Sequence, residues 1–194
     1  MTGVTAFTLA LSAWLAQSAA LAQDSQPPSS QIVVSSLPHP ATNVRWGRAV
    51  GVVDASVDQV MAILHDYGSY GEFIPYFHTS RVLSRRGNRA LVYMQARLAK
   101  GVLNVWANMK LESRKRADGT YVVEGKMTKG NMEQMKARWE VTPLSDGRTR
   151  VVFQMIMDPD LPLPAGFITA QNEKASKKTI KALRKRLARA GRHG

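Results

Sequence analysis

Val151 to Phe167 reads VVFQMIMDPDLPLPAGF. Its first seven residues are apolar except Gln154, and they suit a strand with Val151, Phe153, Met155 and Met157 on one face. Pro159, Pro162 and Pro164 follow. Each removes an amide donor and fixes φ, so neither a strand nor a helix can run through them. Beyond the prolines, Ala165 to about Ala190 has helical spacing, with Ile168, Ala175, Ile180, Leu183 and Leu187 as a narrow apolar stripe. Lys174, Lys177, Lys178, Lys181, Arg184, Lys185, Arg186 and Arg189 lie on its other faces. A strand, a rigid link and a long basic helix therefore close the chain.

Upstream of this strand the pattern is repetitive. Thr79–Arg85, Leu91–Leu98, Val102–Glu112, Tyr121–Thr128, Met132–Thr142 and Arg150–Met157 alternate with period two. Short turns containing Gly87-Asn88, Ala99-Lys100-Gly101, Asp118-Gly119, Gly130-Asn131 and Asp146-Gly147 separate them. Six strands joined this way predict an antiparallel meander. Before them, Arg48–Val53 reads as a first strand. Ser56 and Gln59 form a capping-box pattern, and Val57, Val60, Met61 and Leu64 recur at helical spacing. A second short helical turn is expected around Tyr70–Ile74. The order is strand, two short helices, six strands and a long helix, an α+β class.

The inward set of the meander includes Met94, Val105, Met109, Val123, Met127, Met135, Trp139, Phe153 and Met155. Methionine adapts to variable apolar shapes, and Ala96, Ala107, Gly125 and Ala137 alternate with the larger residues. Ordinary core packing is the default explanation of such a set.

Composition narrows the function classes. The 194 residues hold 44% hydrophobic residues and suit one domain with appendages. There is no cysteine, which excludes disulfides, thiolate metal sites and cysteine nucleophiles. The 27 Lys and Arg against 14 Asp and Glu give a net charge of +13, favouring anionic partners. His65 and His78 fall in no nucleophile or metal pattern, and HExxH, P-loop and GxSxG motifs are absent. No carboxylate falls on the inward set, so no catalytic residue, metal or cofactor is assigned. The basic helix lacks interleaved aromatic residues, so nucleic acid is not expected as a partner. Its charged face, with Lys177, Lys181, Arg184 and Lys185, suits an anionic membrane surface.

The first residues, MTGVTAFTLALSAWLAQSAALAQ, carry no charged side chain. An apolar stretch at Phe7–Ala16 and the small-x-small pattern Ala20-Leu21-Ala22 predict a signal peptide over residues 1–22, cut before Gln23. The n-region lacks Lys and Arg, so an uncleaved N-terminal membrane anchor is the competing expectation. Residues 23–42 read as a linker, in which Ile32-Val33-Val34 either adds a short strand or docks on the surface, and 43–192 as the domain. A periplasmic or secreted monomer is expected.

Three stretches carry a resemblance. VDASVDQVMAILHDYGSYGEFIPYFHTSRVL (Val53–Leu83), RWEVTPLSDGRTRVVFQMIMDP (Arg138–Pro159) and PLPAGFITAQNEKASKKTIKALRKRL (Pro162–Leu187) are similar, in order, to segments of the START-like, or SRPBCC, superfamily. The likeness is greatest to its polyketide cyclase/dehydrase and lipid transport group, which includes coenzyme Q-binding START-like proteins. Asp66-Tyr67, Phe73-Ile74-Pro75, Trp139, Pro143 and Asp146-Gly147 are the matching positions. The resemblance implies a helix-grip fold, in which a curved antiparallel sheet wraps the C-terminal helix around an apolar cavity. It turns the inward set into candidate cavity lining, with Phe73, Leu163 and Phe167 as gate or rim. It implies a lipid, quinone or sterol-like ligand; a cyclase- or dehydratase-like enzyme using the same cavity is the alternative.

Overall fold

The computed structural model describes residues 30–98 and 101–192. The predicted signal peptide and the start of the linker lie outside the described residues. The elements are β1 (Ile32–His39), β2 (Thr42–Val53), α1 (Val57–His65), α2 (Tyr70–Phe73), β3 (Phe77–Arg86), β4 (Arg89–Leu98), β5 (Leu103–Lys115), β6 (Tyr121–Gly130), β7 (Gln134–Pro143), β8 (Thr149–Asp158) and α3 (Ala165–Ala190). A 3₁₀ turn at Tyr67–Ser69 joins α1 to α2. All strands form one antiparallel sheet in the order β1-β2-β8-β7-β6-β5-β4-β3. The curved sheet and long closing helix are the helix-grip arrangement expected from the sequence.

The N-terminal boundary differs from the expectation. Ile32–His39 is not linker but a full strand, paired with β2 from Ile32↔Gly51 to His39↔Thr42. The two short helices consequently follow the second strand. Ser35, Ser36 and Pro38 obscured the alternation, because an edge strand needs apolar residues on one face only.

Local chemistry fixes the connections. The Ser56 hydroxyl accepts from the Gln59 amide at 3.3 Å, and the Gln59 side chain accepts from the Ser56 amide at 2.9 Å, which starts α1. Gly87 and Gly147 turn their hairpins at φ 56° and 81°, the left-handed region that glycine enters without strain.

α3 lies mainly against β2, β8 and β1. A Cβ on Gly47 would stand 2.2 Å from the backbone of Asn172, and one on Gly51 would stand 3.0 Å from the Arg184 guanidinium. The two glycines let the helix touch the strand. Apart from Ile168, the buried face of α3 is correspondingly small and polar in its first half, with Thr169, Asn172 and Ser176. It turns apolar in its second half, with Ile180 and Leu183. These last two join Val60, Met61 and Leu64 of α1 and the inner faces of β2 and β4–β8 in one core.

Candidate functional site

Clamped on β2, the first half of α3 stands away from β4–β7. The space between is a cavity of about 400 Å³, within the usual range of small-molecule sites. Trp139 and Phe153, cross-strand partners on β7 and β8, form part of its wall with ring centroids 4.3 Å apart. Met94, Met109, Met135, Met155 and Met157 line it with Val123, Ala96, Gly125 and Ala137. The α3 wall is Ile168, Gln171, Asn172, Ala175 and Thr179.

The mouth is built by the proline-rich link. Pro159, Leu161, Leu163 and Phe167 line the cavity, yet Leu161 is 39%, Leu163 41% and Phe167 53% exposed. Across from them the α2–β3 connection contributes Ile74, Pro75, Tyr76 and Phe77. Tyr76 has φ 74°, an uncommon conformation for a bulky residue. Lys178 of α3 holds it, with Nζ donating to the Tyr76 hydroxyl at 3.1 Å and lying 5.0 Å from the ring centroid.

The buried polar groups of the wall are engaged by the protein itself. The Asn172 carbonyl accepts from the Met157 amide at 3.2 Å, and its NH₂ donates to the Arg45 carbonyl at 3.3 Å. The Thr179 hydroxyl donates to Ala175 O at 2.9 Å. The Tyr70 hydroxyl donates to Leu64 O at 2.6 Å, and burial pushes its pKa well up, so it stays neutral. Among the described residues no Asp, Glu, His, Lys or Arg lines the cavity. The arrangement can desolvate and shape an apolar molecule, and its wall presents mainly methyl, thioether and aromatic surface, with the Gln171 amide as a polar point on α3.

Of the residues picked from the sequence as cavity lining, the wall holds Met94, Met109, Val123, Met135, Trp139, Phe153 and Met155, with Leu163 and Phe167 at the mouth. Val105 and Met127 are elsewhere. Val105 is wholly taken up in the core opposite Ala96. Met127 precedes a bulge in the β5–β6 pairing and packs toward Gly130. Phe73 is not at the rim: it ends α2 edge-on to Tyr70 and beneath the Arg186 guanidinium. The next residue, Ile74, is extended and redirects the chain to the cavity. Lys177, Lys181 and Lys185 are exposed along α3. Arg184 is a correction to the expected membrane-facing set. Its guanidinium turns inward to the carbonyls of Val52, Ser30 and Gln31 at 2.8–3.2 Å and pins β1 to the helix.

Of the α3 wall, Ile168 and Ala175 belong to the apolar stripe read from the sequence, whereas Gln171, Asn172 and Thr179, like the Tyr76–Phe77 segment, escaped it. Asn172 and Thr179 are polar and fell outside the apolar stripe, although Ile168, Asn172, Ala175 and Thr179 keep helical spacing.

The sequence profile of the family described as "Polyketide cyclase / dehydrase and lipid transport" matches residues 53–184. The chain belongs to this family. Solved structures agree on the fold. The STAR-related lipid transfer protein of Xanthomonas axonopodis superposes with a TM-score of 0.73 at 21% identity, covering 84% of this chain and 96% of that one. Human StAR-related lipid transfer protein 5 gives 0.74 at 13% identity, covering 84% of each chain. The Zhui aromatase/cyclase of Streptomyces sp. R1128 gives 0.52 at 16% identity, covering 75% of this chain and 94% of that one. No curated protein sequence matches. Proteins named as lipid transfer proteins and as an aromatase/cyclase thus share this START-like architecture.

Proposed function

We propose that the protein is an exported carrier for a lipid, quinone or sterol-like molecule, which it holds between the sheet and α3 and exchanges at an anionic membrane. The observation that carries this reading is the cavity of about 400 Å³ with an apolar wall and an apolar, exposed mouth. Binding would be driven by desolvation, at about 0.8 kcal/mol for each buried methylene. The engaged state of Asn172, Thr179 and Tyr70 leaves Gln171, a neutral amide with no acid–base chemistry, as the polar α3 side chain of the wall without a hydrogen bond among the described residues, which favours carriage over chemistry. The exposed row of Lys177, Lys181 and Lys185 supports the membrane part of the proposal, and the apolar leader at 1–22 supports export.

Native mass spectrometry of the protein, purified without detergent from the cells that make it, tests the reading. A co-purifying apolar mass is expected, and delipidated protein should take up a fluorescent fatty-acyl lipid with one-to-one stoichiometry. Ala137→Phe places a ring in the cavity and should lower that uptake by about tenfold or more, leaving the circular dichroism spectrum unchanged. No bound mass together with no uptake by the delipidated protein would sink the proposal.

A further inference from the structure

The convex face of the sheet, opposite the cavity, carries an arrangement that folding alone does not favour. Lys110 of β5 is the cross-strand partner of Lys126 on β6, and Lys126 is the partner of Lys136 on β7. Three ammonium groups thus project side by side from adjacent strands. Like charges directly opposite one another destabilise a sheet. Next to the row, the glutamates of this face are matched by arginines. Glu112 pairs with Arg89 at 3.1 Å, Glu124 with Arg114 at 2.6 Å and also with Arg138, and Glu140 with Arg116 at 3.5 Å. The two glutamates nearest the row, Glu112 and Glu124, are therefore committed to arginines, and Lys110, Lys126 and Lys136 have no carboxylate partner among the described residues. Lys136 Nζ instead lies 3.0 Å from His39 Nε2. Burial and the Lys136 charge together hold the His39 pKa below its ordinary value.

These lysines line a groove whose other walls include Trp46, Arg138, Gln154 and the two arginine-paired carboxylates Glu112 and Glu124. The other like-charged cross-strand pairs on this face, Glu112 with Glu124 and Arg86 with Arg89, each include a residue held in an ion pair, whereas the lysine row has none, and such an unrelieved local conflict is a mark of functional sites. We infer that this groove is a binding site for a phosphate-bearing anion, seated across Lys110, Lys126 and Lys136 with Trp46 beside it. Lysine serves here as a point charge with three donors, and three of them at cross-strand spacing suit a group of two or more negative charges. The anion relieves the mutual repulsion of the three ammonium groups. The phosphate can come from a soluble molecule or from a lipid headgroup.

The full chain is titrated at low ionic strength, because salt screens exposed charges. The soluble probe is inorganic pyrophosphate, followed by calorimetry and by NMR of the β5–β7 amides. The second probe is vesicles of phosphatidylcholine with added phosphatidic acid, followed by co-sedimentation. Each is repeated with K126Q, which removes the central charge, and with K129Q, which lies on the same strand outside the row. Saturable binding of either probe, weakened by about tenfold in K126Q and kept in K129Q, supports the site. Pyrophosphate binding then identifies a soluble ligand, and binding of vesicles alone identifies a headgroup. Binding that never saturates, or that falls equally in both variants, overturns the inference and leaves only a generally basic surface. The cavity is on the opposite face, so this result is independent of the hydrophobic-carrier proposal.

Discussion

Gly47 shows how much one missing side chain decides. Its Cα lies so close to α3 that an added methyl would meet the Asn172 carbonyl group at 2.2 Å. That atom is helix backbone and cannot turn aside. Gly47→Ala should therefore lift α3 from β2 and cost at least about 2 kcal/mol, read by urea unfolding; an unchanged midpoint would show that the helix is free to slide. His65 gives a pH signature. Its Nε2 lies 2.9 Å from the Ser113 hydroxyl, and burial, then the nearby Arg85 charge, hold its pKa below the usual 6.5. The folded protein binds this proton less readily than the unfolded chain does. Its contribution is thus present above about pH 6.5 and is lost as pH falls through the lowered folded value. His65→Gln should flatten the decline in melting temperature between neutral and mildly acidic pH, and an identical slope in the variant would contradict the assignment.

Among the elements, β1 and α3 depend on each other in a way that neither sequence announces. β1 is an edge strand with serines and a proline, and Arg184 ties its start to β2 through three backbone carbonyls. Hydrogen bonds to a charged group contribute about 1.5–3 kcal/mol each at most. Arg184→Ala should lower stability by about 2 kcal/mol and raise amide exchange first in Ile32–Leu37. Uniform exchange across the sheet would instead mean that β1 is held by its ladder alone. The link between β8 and α3 was legible as a breaker because proline chemistry is local. That its leucines and Phe167 stand at a cavity mouth was not, since this depends on where α3 comes to rest. Phe73 illustrates the same limit, being one residue short of the reversal that sends Ile74–Phe77 to the cavity.

At the scale of the whole molecule, charge is divided between two surfaces. α3 presents Lys177, Lys181 and Lys185 outward, and the convex sheet presents its own lysine row. If the helix face docks at membranes, reversing all three α3 lysines to glutamate should weaken binding to anionic vesicles more than about a hundredfold, at roughly 1 kcal/mol per charge. Ligand uptake in solution should stay intact. Vesicle binding that survives this change would move the docking surface elsewhere. The cavity was half visible beforehand. Alternation placed Met94, Met109, Met135, Trp139, Phe153 and Met155 on one face, but the same alternation also chose Val105 and Met127. A bulge and a filled core, not residue type, removed those two.

The sequence alone determined strands β2–β8, the capped first helix, the proline break and the long basic helix, because period, turn chemistry and missing amide donors act within a few residues of one another. It also determined the apolar character of the inner face. Only the tertiary structure decided that this face encloses space rather than filling it. That outcome depends on the distance between α3 and β4–β7, which is set by two glycines on β2 meeting Asn172, Ile180 and Arg184 of the helix, more than a hundred positions away. The same long-range packing turned Arg184 from a surface charge into a clasp for β1.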